Sequence, residues 1–139
     1  MKDKFFIDTN IFVYAFSLEA EKKKIAKQVI KDAHKKGGCL SFQVIQEFLN
    51  TVTRKFVIPL NKEDTKKYLS EILFPICDVF PSEDLYKRAL DIREKFKYSF
   101  YDSLIIAAAL ESNCKILYSE DLQHNQKIYN LTIINPFIK

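Results

Sequence analysis

An α/β fold with a mostly parallel sheet covered on both faces is what the apolar pattern of this chain predicts, on three observations. Short apolar runs of strand length alternate with amphipathic stretches of helix length from end to end. The run Phe5-Phe6-Ile7 is apolar on successive residues, as a strand buried on both faces requires. Ser103 to Leu110 is apolar nearly all round, so a helix there is covered on most sides. At 139 residues, 47% of them hydrophobic, with 12 Phe and 7 Tyr, the chain suits one domain (1–139) with one substantial core. No linker, repeat or low-complexity segment interrupts it.

The elements follow in order. Phe5-Phe6-Ile7 breaks at Asp8-Thr9-Asn10 into a short apolar helix reaching Phe16. Lys22 to Lys36 forms a second helix, with Ile25, Ala26, Val29, Ile30 and Ala33 on one side and Lys24, Lys27, Lys31 and Lys35 on the other. Gly37-Gly38 stops it. Cys39-Leu40-Ser41 is a strand, and Gln43 to Phe56 a helix whose buried stripe is Val44, Ile45, Phe48, Leu49 and Val52. Glu47 lies about 60° beyond the Val44 edge of that stripe, free to face a cleft. Pro59 breaks the chain, and Asn61 caps a helix from Lys62 to Phe74 that ends before Pro75. Ile76 to Phe80 is a strand, Ser82 caps a helix to about Lys97, and Ser99 opens the buried helix. Lys115 to Tyr118 and Leu131 to Ile134 are the last strands, the second closed by Asn135-Pro136.

Composition narrows the function classes. No apolar run is long enough to span a bilayer, and no basic segment leads into a long apolar block near Met1, so a cytoplasmic location without membrane attachment is expected. Cys39, Cys77 and Cys114 are far apart with no C-x-x-C, which suggests small core residues rather than disulfides or a zinc site. Only two glycines, adjacent at 37 and 38, exclude a P-loop, and no G-x-S-x-G is present for a serine hydrolase. A receiver domain would need an acid after its third strand and a late strand ending in Lys, whereas Asp78 lies inside a strand and the last strands end in Ser119 and Asn135. The net charge is +4, and residues 20–36 alone hold seven lysines against two acids. Such a stretch is either the solvated face of a helix or an attractor of polyanions.

The chemistry rests on four acids: Asp8 after the first strand, Glu47 in the helix after the second, Asp102 at the head of the buried helix, and Asp121 after a later strand. Each has a plain structural alternative. Asp8 suits a helix N-cap, Asp102 the acid of a capping box with Ser99, Glu47 an ordinary surface position, and Asp121 a turn. Three of the four nevertheless belong at one edge of a parallel sheet, the edge where open α/β sheets bind ligands. Carboxylates a few ångströms apart repel by about 3–4 kcal/mol per pair at an effective dielectric near 20, which protonation or a divalent cation relieves. Oxygen ligands without His or Cys select Mg²⁺ or Mn²⁺, ions that activate water and clamp a phosphodiester.

These same residues carry a family likeness. Phe6-Ile7-Asp8-Thr9-Asn10-Ile11, Ser41 through Gln46-Glu47-Phe48, Tyr101-Asp102-Ser103-Leu104-Ile105-Ile106-Ala107-Ala108-Ala109, Tyr118-Ser119-Glu120-Asp121-Leu122-Gln123-His124 and Ile134-Asn135-Pro136-Phe137 resemble the motifs of the PIN-domain ribonucleases. Within that family the chain is most similar to the VapC-type toxins of toxin–antitoxin pairs, and the likeness covers nearly its whole length. The resemblance implies a three-layer α/β/α fold and a Mg²⁺ or Mn²⁺ site at which RNA is cut endonucleolytically. Asp8 and Asp102 would be the central metal ligands, Glu47 a ligand or water positioner, and Asp121 the outer acid, with Glu120 able to replace or assist it. Thr9, Asn10 and Ser119 would be supporting polar groups. Apart from the resemblance, the basic face makes Lys24, Lys27 and Lys31 candidate RNA contacts, and His124 lies in a loop that could touch substrate. A homodimer and a small antitoxin partner are further implications. The alternative is a catalytically silent member that binds RNA or protein with the same fold. Asn125 stands where related toxins have Gly, and Asn tolerates the left-handed backbone such a turn needs.

Overall fold

The computed structural model describes residues 3–54 and 60–138. The elements are β1 (Phe5–Ile7), α1 (Thr9–Tyr14), α2 (Ala20–Lys36), β2 (Gly38–Ser41), α3 (Phe42–Arg54), α4 (Lys62–Tyr68), β3 (Cys77–Val79), α5 (Glu83–Phe96), α6 (Phe100–Glu111), β4 (Ile116–Tyr118), β5 (Lys127–Ile128) and β6 (Leu131–Ile134). They form an α/β fold around one six-stranded sheet of order β3-β2-β1-β4-β6-β5. Every pairing from β3 to β6 is parallel, and β5 alone runs antiparallel, against β6. The chain steps one way from β1 to β3, through α1 to α4, and returns over the sheet to β4 through α5 and α6. Right-handed crossovers in opposite directions put helices on both faces, giving three layers. The reversal of direction also makes a switch point between β1 and β4, where parallel sheets open a crevice at their carboxyl ends.

Local sequence explains most element ends. Asp8, Asn61, Ser82 and Ser99 each occupy an N-cap and accept a backbone N–H of the helix that follows. Gly37 caps α2 at φ +89°, a left-handed conformation that costs glycine little. Gly38 begins β2 in a tight space, since a Cβ there would meet the Cβ of Ala33 at 2.4 Å and the ring of Phe5 at 2.7 Å. The stripe of α2 is inward as expected, with Ala26, Ile30 and Ala33 buried. Phe6, Ile7, Leu40, Phe48, Ile106 and Leu117 are among the fully buried side chains of the core. Cys39, Cys77 and Cys114 are free and buried, as small core residues should be, and the sulfurs of Cys39 and Cys114 lie 3.5 Å apart.

Three local details differ from the sequence expectation. The helix from Lys62 continues past Tyr68 as a wider π turn (Leu69–Leu73) and then a tight 3₁₀ turn (Phe74–Ile76) that contains Pro75. Pro75 is accommodated in the first turn of the 3₁₀ segment, after the Phe74 N–H has closed the π turn on the Leu69 carbonyl. The strand after it is accordingly shorter, starting at Cys77 and ending at Val79. The two-residue strand β5 has no apolar alternation to announce it. It pairs with β6 through a turn at Tyr129 and Asn130, with Tyr129 at φ 55°. Asn125 does take the left-handed backbone, at φ 69°. The expected end of α3 at Phe56 and the break at Pro59 fall outside the described residues. No helix among the described residues is long and apolar enough to cross a membrane.

Candidate metal centre

All four acids singled out in the sequence line one pocket of about 310 Å³, together with Thr9, Asn10, Asn50 and Thr51. It opens at the carboxyl edge of the sheet, beside the switch point. Asp8 leaves the end of β1, Asp121 follows β4, Glu47 stands on the second turn of α3, and Asp102 on the first turn of α6. No lysine, arginine or histidine lines it among the described residues, so its formal charge is strongly negative.

Asp8 is held most firmly. Its Oδ1 accepts the backbone N–H of Thr9 at 2.7 Å and its Oδ2 accepts the hydroxyl of the buried Ser119 at 2.8 Å. The N-cap role and the pocket role are therefore the same geometry, because the cap bond fixes the carboxylate that the pocket exposes. Burial pushes its carboxyl up from the ordinary 3.8 to about 6; the two hydrogen bonds oppose this, and the nearby charges of Glu47 and Asp121 add to it. Glu47 takes the hydroxyl of Thr9 on Oε1 at 2.5 Å and the amide of Gln43 on Oε2 at 3.2 Å. Asp121 takes the amide of Asn10 on Oδ2 at 2.6 Å. Thr9 and Asn10, adjacent on α1, thus reach two acids from different parts of the chain. Asp102 gives its backbone N–H to the Ser99 hydroxyl at 3.2 Å. Among the described residues its carboxylate does not complete the box by bonding back to Ser99. It faces the pocket instead.

Other expected residues lie elsewhere. Glu120 turns away, accepting Lys22 Nζ at 2.7 Å and the Tyr14 hydroxyl at 2.6 Å, and so leaves the pocket position to Asp121. His124 accepts the backbone N–H of Asn135 on Nδ1 at 2.9 Å, which ties its loop to the end of β6. Lys24, Lys27 and Lys31 are exposed on α2 and do not line the acidic pocket. His34, also on α2, bridges the carbonyls of Ile30 at 3.0 Å and Ile72 at 2.9 Å. Sequence inspection missed Gln43, which is buried although it is a polar residue near the start of α3. Its place four residues before Glu47 was the available signal.

The donor chemistry fits a hard divalent cation, since the polar lining is oxygen and amide with neither thiolate nor imidazole. Among the described residues, no three or more Asp, Glu, His or Cys side chains are grouped so as to hold a metal ion. A Mg²⁺ held by one or two carboxylates and its own waters needs no such group.

The sequence model of the PIN domain family matches residues 5–127. No curated protein matches the chain significantly in sequence. Solved structures match its fold. A toxin–antitoxin complex from Klebsiella pneumoniae superposes with a TM-score of 0.69 at 20% identity, covering 96% of this chain and 98% of that one. VapC20 of Mycobacterium tuberculosis, described as a sarcin-ricin loop cleaving toxin, gives 0.62 at 16% identity over 85% and 90%. VapBC2 from Rickettsia felis, bound to a DNA fragment from its promoter, gives 0.65 at 18% identity over 93% and 96%.

Proposed function

Because the chain belongs to the PIN-domain family, we propose that it is a Mg²⁺- or Mn²⁺-dependent endoribonuclease, the toxin half of a toxin–antitoxin pair acting in the cytoplasm. The observation that carries this is the meeting of Asp8, Glu47, Asp102 and Asp121 in one pocket without a cationic side chain to neutralise them. Asp8 and Asp102 are the assigned central ligands, Glu47 a ligand or the residue that orients water, and Asp121 the outer acid. A bound divalent ion would supply a more acidic water and a clamp on the scissile phosphate. The chain's own groups do the rest. Ser119 and the Thr9 N–H aim the two oxygens of Asp8, Thr9 holds Glu47, and Asn10 holds Asp121. The exposed lysines of α2, Lys24, Lys27 and Lys31, attract the RNA backbone outside the pocket. The toxin–antitoxin setting of the structural neighbours supports a small protein partner, and the family habit supports a homodimer.

The test is cleavage of RNA by the purified protein with Mg²⁺ or Mn²⁺ and with chelator. Asp8→Asn and Asp102→Asn are expected to lose about a hundredfold or more in rate while circular dichroism stays native. Undiminished cleavage by either variant overturns the assignment, and a wild-type protein that binds RNA without cutting it indicates the silent member of the fold.

A further inference from the structure

We propose that Gln43 is a positioning residue that sets Glu47 and Asp102 at a fixed separation for the divalent ion, an inference that rests on the metal-site reading above. Gln43 is 3% exposed and stands on the first turn of α3, one turn before Glu47. Its Nε2 donates to Glu47 Oε2 at 3.2 Å and to the backbone carbonyl of Tyr101 at 3.1 Å. Tyr101 immediately precedes Asp102 in the first turn of α6. One amide nitrogen, with its two hydrogens, therefore joins an acid of α3 to the peptide unit that carries an acid of α6.

The chemistry of the partners fixes which way the amide points. Both are acceptors, so the NH₂ must face them, because a flipped amide would set its oxygen against a carboxylate and a carbonyl. The consequence is visible on the other side of the group. Gln43 Oε1 is buried and has no hydrogen-bond partner among the described residues. An orphaned buried acceptor opposes folding, and an apolar side chain of the same length would avoid that cost. The fold keeps the amide where its donors bridge two pocket helices. Thr9 grips the other oxygen of Glu47, so this acid is held from both sides and Gln43 supplies the side that refers it to α6.

The discriminating variants are Gln43→Met, which keeps the length and removes the donors, and Gln43→Asn, which keeps the amide but shortens the reach. Thermal unfolding of the metal-free proteins and Mn²⁺ affinity by calorimetry are measured on the same preparations. Both variants are expected to bind Mn²⁺ about tenfold more weakly. Gln43→Met is expected to unfold at or above the wild-type temperature without metal. Two results overturn the inference alone: wild-type Mn²⁺ affinity in both variants, or a loss of affinity matched by an equal loss of metal-free stability. Should Gln43→Met fail to fold, Gln43→Asn decides by the same measurements. A wild-type protein that binds no Mn²⁺ removes the metal-site reading and this inference with it.

Discussion

The hydroxyl of Ser119, at the end of β4, donates to the carboxylate of Asp8, at the end of β1, across 2.8 Å. The two residues immediately follow the strands that flank the switch point, so this bond spans the crevice the topology opens. It also favours the charged form of Asp8 against the burial that disfavours it. Ser119→Ala should therefore lower Mn²⁺ affinity by about 10-fold and move the acid limb of the pH–rate profile upward. A pH–rate profile of both proteins checks this, and an unmoved acid limb would show that Ser119 does not act through Asp8.

Asp8 should also leave a signature in stability. Its folded carboxyl titrates at about 6 against an ordinary 3.8, so the folded state holds the proton more tightly than the unfolded chain. Stability from this group is full at low pH and is lost as pH rises through the window between those values. Each tenfold change in acidity is worth about 1.4 kcal/mol, and Asp8 is only half-buried, so Asp8→Asn should stabilise the metal-free protein by about 1–2 kcal/mol at neutral pH. Melting in chelator at about pH 5 and about pH 7.5 tests it, and the same pH slope in wild type and variant would refute it.

Glu120 and Asp121 are neighbours in sequence with separate surroundings. Glu120 is paired with Lys22 and Tyr14, and Asp121 with Asn10 in the pocket. Glu120→Gln should keep cleavage within about twofold and cost under about 1 kcal/mol of stability, as partly exposed ion pairs do. Asp121→Asn should lose far more activity. Equal losses from the two substitutions would mean that the loop after β4 rearranges when metal or RNA binds.

Gly38 is needed for closeness rather than for conformation. A methyl group there would sit 2.4 Å from Ala33 Cβ, on the buried side of α2. Gly38→Ala is expected to destabilise the protein by about 1–3 kcal/mol in denaturant unfolding. Full stability would show that α2 can slide outward without loss.

The lysine face of α2 is testable by salt. Replacing Lys24, Lys27 and Lys31 together by Glu should weaken RNA binding at low salt and flatten the dependence of log K on log salt by about 2, on the single-strand slope per neutralised phosphate. Binding isotherms at several ionic strengths measure it. An unchanged slope would place the RNA path away from α2.

Much of this was legible because the informative residues do two things at once. Asp8 is a cap in local sequence and a pocket acid in space, and the single Thr9 N–H bond serves both. Ser99 and Asp102 match half of a capping box, with the acid diverted to the cleft. The central strand β1 was legible because burial at every position leaves an uninterrupted apolar run. What escaped depends on tertiary placement. Gln43 lies outside the apolar stripe of α3 and is buried because it bonds across to the start of α6, which no periodicity encodes. Glu120 and Asp121 are indistinguishable until α1 and α2 are in position to choose between them. Pro75 reads as a stop, yet the backbone passes it by widening to a π turn and tightening to a 3₁₀ turn.

The central place of β4 bears on the order in which the protein becomes active during synthesis. The strand is inserted beside β1 although more than a hundred residues separate the two. A ribosome-bound chain that has not yet released residue 119 has Asp8 but neither the hydroxyl that orients it nor Asp121. Partly translated chains therefore lack the assembled acidic pocket, which is completed only when translation of this region is finished.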